Sequence, residues 1–125
     1  MSLETPLHRV EGLGSAHSGV GHFWRERVTA AALIPLSAWL VISVLLLMGK
    51  TEAEVASFFQ HPWNALLMGL FVIVSCVHMM LGLQMVIDDY VHHSGRRIVL
   101  LLLNRAFAWV VGGLSLVALL RLAVG

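Results

Sequence analysis

His78 stands thirteen residues into an uncharged apolar run that begins near Ala65. An ionisable side chain at that depth in a bilayer is costly and faces protein, water or a bound group. Two chemistries suit it. A neutral imidazole can hydrogen-bond a neighbouring helix, or it can offer a ring nitrogen as axial ligand to a haem iron. One histidine on one helix supplies one axial ligand, so a bis-histidine haem would draw the other from a partner chain. At about 100° per residue, Phe71, Ser75, His78, Gly82, Met85 and Asp89 share one helical stripe. Gly82, one turn from His78, would let a flat macrocycle approach the backbone; it reads equally as ordinary small-residue helix packing. Asp89 closes the stripe about 16 Å from His78, where the run reaches the membrane boundary, and Tyr90 follows. A phenol there can donate a hydrogen bond to a quinone carbonyl, and a neighbouring carboxylate can tune it or relay protons. The plainer reading of Asp88, Asp89 and Tyr90 is a solvated helix end with a tyrosine in the interfacial aromatic belt.

Other polar residues sort by the same logic. Arg25 and Arg27 precede the first apolar run, where basic residues act as topology signals. A guanidinium is also the natural partner of a carboxylate such as a haem propionate, and His22 could join it. His92 and His93 are adjacent, so on a helix they diverge and make a poor metal pair; a solvated loop is the simpler reading. His8, His17 and His61 carry no signal. Cys76 is the single cysteine, which excludes an intrachain disulfide and a cysteine-based zinc cluster and leaves a small packing residue.

The elements that must position these residues follow from composition. Of 125 residues, 58% are hydrophobic and 12% charged, with mean hydropathy +0.86. Soluble domains carry about 25% charged residues, so this chain cannot cover a water-facing surface. A free soluble enzyme, a disordered linker and a disulfide scaffold are excluded. The net charge of +1 gives no basic field for nucleic acid. The reading is a single all-α membrane domain, too small to work alone. A helix needs about 20 apolar residues to span the hydrocarbon core, and three runs qualify: 28–48, 65–87 and 98–124. The third carries Asn104, Arg105 and Arg121, whose arginines can snorkel toward opposite interfaces. Residues 1–27 form a glycine-rich tail in which little early regular structure is expected. Gly49 to Asn64 is a loop whose middle, Glu52 to Gln60, reads as a short amphipathic helix with Thr51 and Glu54 as a capping box. Asp88 to Arg97 is the second loop. Pro35 should kink the first span, and Gly112 with Gly113 marks a close helix contact in the third.

Arg9, Arg25, Arg27, Arg96 and Arg97 fall on one side of such a three-span chain, against Lys50 and Arg121 on the other. The excess places the N-terminus in the cytoplasm or matrix. The first apolar run starts too late and runs too long for a secretory signal. The lack of a transit peptide points to a bacterial inner membrane.

Together, His78, Gly82, Asp89 and Tyr90 at their spacing resemble the second helix of the hydrophobic anchor (SdhD) family of succinate dehydrogenase, respiratory complex II. The run Arg27 to Ala30 and the preceding Gly21, His22, Phe23 and Trp24 are similar to that family too, as is the three-span layout, so the resemblance covers nearly the whole chain. It implies a membrane anchor with no succinate-oxidising centre of its own. It implies three helices bundled with a second anchor subunit (SdhC), beneath an iron–sulfur subunit (SdhB) and a flavoprotein (SdhA). It further implies that His78 is one axial ligand of a haem b shared with the second anchor, with Gly82 beside it. Arg27 and His22 would meet the propionates. Tyr90 would hydrogen-bond ubiquinone at the cytoplasmic rim, with Asp89 beside it. Two rivals stand. An anchor of fumarate reductase would run the chemistry backwards. A non-redox membrane adaptor would use His78 only as a bundle hydrogen bond.

Overall fold

The computed structural model describes the backbone of residues 14–125 and side chains from Val20 onward. Its architecture is α1 (Gly14–Leu47), α2 (Glu52–Gln60), α3 (Pro62–Tyr90) and α4 (Ser94–Val124), with no strand among the described residues. Three of these helices are long and apolar enough to cross a membrane. The 29 residues of α3 would extend about 44 Å, more than the hydrocarbon core, so its ends reach the headgroup zone or it tilts.

α3 starts at Pro62, three residues before the expected 65, and two other boundaries differ more. α1 starts at Gly14, well before the expected 28. Each glycine costs a helix only about 1 kcal/mol, and extending an existing helix is far easier than nucleating a new one. Residues 1–13, with His8 and Arg9, lie outside the described residues. The second loop is also shorter than expected. α3 runs to Tyr90 and α4 begins at Ser94, leaving only Val91, His92 and His93 off the helices. His93 is the N-cap of α4, its Nδ1 accepting from the Arg96 amide at 3.3 Å, so it is a cap rather than a free loop residue.

The short helix matches its expected limits. Thr51 caps α2, its hydroxyl accepting from the Glu54 amide at 3.3 Å while the Glu54 carboxylate accepts from the Thr51 amide at 2.7 Å. The Thr51 backbone and side-chain hydrogen bonds hold the Glu54 carboxyl below its ordinary value. Their contribution is therefore complete above the ordinary carboxylate range and fades as pH falls through the lowered value. Gly49, at φ 75°, lies in the left-handed region just past the end of α1, where glycine stops a helix without strain.

α3 is the central helix, packed on α1 along one flank and on α4 along another. On α1, His22, Glu26, Thr29, Leu33, Leu36, Leu40 and Ser43 are among the less exposed residues. Their alternating steps of three and four trace one seam along the helix. Against α4, Gly112 sits so close that a Cβ there would lie 3.3 Å from Cys76 Sγ. Of the glycine pair expected to make a close contact in the third span, Gly112 meets Cys76, the small packing residue, whereas a Cβ at Gly113 would meet nothing within 4 Å. The Asn104 amide donates to the Met80 carbonyl at 2.9 Å, tying the same two helices at the next level. Among the described residues only Leu81 and Ala108 are buried hydrophobics, whereas Ile34, Trp109 and Val124 are more than 70% exposed. So much exposed apolar surface suits lipid or a partner chain, not water.

Candidate functional site

The pairing of α1 with α3 puts Thr29 opposite His78, with Thr29 Oγ1 and His78 Nδ1 3.0 Å apart. Thr29 Oγ1 also lies 2.7 Å from the Arg25 carbonyl and 3.0 Å from the Glu26 carbonyl. His78 is thus held through Nδ1, and no protein atom among the described residues hydrogen-bonds its Nε2. The imidazole is partly exposed. One turn along, a Cβ built on Gly82 would meet nothing within 4 Å. Gly82 is therefore not a close contact between helices of this chain. It leaves the backbone open on that side of α3, one turn from His78.

His22 lies two turns before Thr29 on the same seam of α1. Its Nε2 is buried and has no partner among the described residues, a costly state for a polar atom. Arg27 is placed differently. It is exposed, with its guanidinium 5.0 Å above the Phe23 ring, a cation–π contact. Two residues from Thr29 means about 200° around the helix, so Arg27 lies on the flank away from α3 and does not touch His78. Its height along α1 differs from that of Thr29 by only about 3 Å.

At the end of α3, Asp88 pairs with Arg97 of α4 at 2.8 Å, and a second nitrogen of Arg97 reaches the same oxygen at 3.0 Å. Both side chains are partly solvated, so the pair contributes at most about 1 kcal/mol. It does clip the three-residue turn that carries the chain from Tyr90 to Ser94. Asp89 and Tyr90 are exposed, Tyr90 by 79%, and neither makes a side-chain hydrogen bond among the described residues. Tyr90 is about 18 Å from His78 along the helix, so the two belong to one helix but to separate places. Arg105 is exposed on α4. No cluster of three or more metal-ligating side chains occurs among the described residues, so a metal here would need donors from elsewhere.

Thr29 was not singled out for chemistry in the sequence, because its partner is 49 residues away. The only local signal was a hydroxyl on a basic helix start, which normally bonds its own backbone.

The description succinate dehydrogenase/fumarate reductase transmembrane subunit matches residues 1–120 of the chain. The chain is 37% identical over 121 residues to the succinate dehydrogenase hydrophobic membrane anchor subunit of Paracoccus denitrificans, covering 97% of this chain and 93% of that one. It is 31% identical over 100 residues to the subunit of the same name from Rickettsia bellii, covering 80% of each. With the succinate dehydrogenase membrane anchor subunit of Reclinomonas americana it shares 30% identity over 94 residues, 73% of this chain and 78% of the other. No solved structure matches. A matched region spanning almost the whole chain, on a bundle of three apolar helices, means that the chain belongs to the family of succinate dehydrogenase/fumarate reductase transmembrane subunits.

Proposed function

We propose that this chain anchors a succinate:ubiquinone oxidoreductase in the membrane, holds a haem b through His78 together with a second anchor subunit, and helps bind ubiquinone through Tyr90. The observation that carries the reading is His78 itself: an imidazole within a membrane span, gripped at Nδ1 by Thr29 and without a hydrogen-bond partner at Nε2 among the described residues.

The residues fit a haem. Nε2 points its lone-pair position away from Thr29, and the open space at Gly82 leaves room for a flat ring against the backbone. The buried His22 nitrogen, without a partner among the described residues, is a donor or acceptor suited to a polar group, as a propionate would be. Arg27 adds an exposed guanidinium near the same height. When bound, the haem supplies an electron-accepting centre inside the membrane. His78 would ligate it, with Gly82 beside the ring and His22 and Arg27 toward its propionates.

Ubiquinone is the substrate, and its reduction needs two electrons and two protons. Electrons would arrive from the iron–sulfur and flavoprotein subunits docked on the cytoplasmic side. At that rim the exposed Tyr90 hydroxyl can donate to a quinone carbonyl, and Asp89 can pass protons from water. The five basic residues on this side support a cytoplasmic N-terminus, and the bacterial inner membrane is the expected setting.

The test is a dithionite-reduced minus oxidised absorption spectrum of the complex purified through a tag on this chain. A b-type signal that partly develops with succinate alone is expected. Flavin without haem would leave an anchor and reduce His78 to a packing role; neither group, from an intact preparation, would sink the redox reading. A second expectation concerns Arg27→Ala. Haem content or midpoint potential should change while flavin content does not, by an effect of about 1.5–3 kcal/mol for loss of a charged hydrogen bond. Unchanged haem would leave Arg27 as a topology signal.

A further inference from the structure

We propose that Thr29 is a positioning residue for the haem, its hydroxyl oxygen accepting from His78 Nδ1 and so setting both the tautomer and the ring plane of the ligand. The inference rests on the haem reading of His78 and deepens it.

The argument is a count of protons. Thr29 Oγ1 has three neighbours at hydrogen-bond distance: the Arg25 carbonyl at 2.7 Å, the Glu26 carbonyl at 3.0 Å and His78 Nδ1 at 3.0 Å. The hydroxyl owns one proton. Carbonyl oxygens only accept, so that proton is shared between the two of them, in the back-bonded state usual for a helical threonine. Toward His78 the oxygen then has only lone pairs to offer. Nδ1 must carry the hydrogen, and in a neutral ring the free lone pair falls to Nε2. That is the nitrogen with no protein partner among the described residues, on the edge of the ring remote from Thr29.

The consequence reaches the iron. A ligating histidine whose other N–H is held by an acceptor is oriented and made a stronger donor. Thr29 does this from α1 while the ligand sits on α3, so the haem site draws on two of the chain's spans. The two carbonyls complete the chain of polarisation. Each pulls on the Thr29 proton, which makes its oxygen a better acceptor for Nδ1–H. A stronger imidazole donor favours the oxidised iron, so Thr29 lowers the haem potential.

The test uses the purified complex with Thr29→Val and Thr29→Ser. Valine keeps the branched shape and removes the oxygen; serine restores it. Flavin per complex reports assembly independently of haem. In Thr29→Val, transfer of haem to an apomyoglobin scavenger should speed up about 10-fold or more, the usual scale for a lost outer-shell partner. The haem midpoint potential should rise, and the low-spin g-values of the oxidised haem should shift as the ring plane loosens. Thr29→Ser should return all three toward wild type. Wild-type haem retention, potential and g-values in Thr29→Val would overturn the proposal, as would a Thr29→Ser variant that behaves like valine. A wild-type complex carrying flavin but no haem would instead overturn the reading of His78 on which this one stands.

Discussion

His78→Ala is expected to leave the complex with little or no haem. Loss of an outer-shell partner costs about 10- to 100-fold in affinity, and loss of the ligand itself should exceed about 100-fold. The structural cost is much smaller. Among the described residues His78 makes one side-chain hydrogen bond, to Thr29, worth about 1 kcal/mol, and the ring is only partly buried. The α1–α3 seam keeps Leu33, Leu36 and Ser43, and α4 keeps its Gly112 and Asn104 contacts. The anchor should therefore still insert. Haem per flavin, measured on the purified complex, separates the two roles. An unchanged ratio with slightly lower yield is what a bundle hydrogen bond alone would give, and it would remove His78 from the haem site.

The elements of this fold were legible in the sequence for physical reasons. Three spans follow from hydropathy, because a bilayer demands long uncharged runs. The limits of α2 follow from Thr51 and Glu54, because a capping box is a local signal. What was hidden is non-local or depends on competition between weak local preferences. Thr29 meets His78, and Asp88 meets Arg97, only once the helices are paired. α1 starts earlier than its apolar run because glycine's small helix penalty is outweighed by the ease of extending a long helix. His93 read as loop because histidine is an unusual cap, yet its Nδ1 accepts an amide as an asparagine would. The candidate site was half legible. His78, Gly82, Asp89 and Tyr90 lie on α3 where their spacing put them, and the openness beside Gly82 needed the fold.

Tyr90→Phe is expected to separate the two halves of the reaction. Its hydroxyl is exposed and has no protein partner among the described residues, so removing it disturbs nothing in the chain. The ring stays, and with it the interfacial anchoring of α3. What is lost is a donor to a quinone carbonyl that gains negative charge as it is reduced. Hydrogen bonds to charged groups are worth about 1.5–3 kcal/mol, which corresponds to about 10- to 100-fold in rate. Quinone reduction should fall by that factor, while succinate oxidation with a water-soluble artificial acceptor keeps its wild-type rate. The turn beside Tyr90 guards against a trivial outcome, since the clip from Asp88 to Arg97 is untouched by the change. Equal loss of both activities would signal an assembly defect, and wild-type quinone reduction would place Tyr90 in the aromatic belt alone.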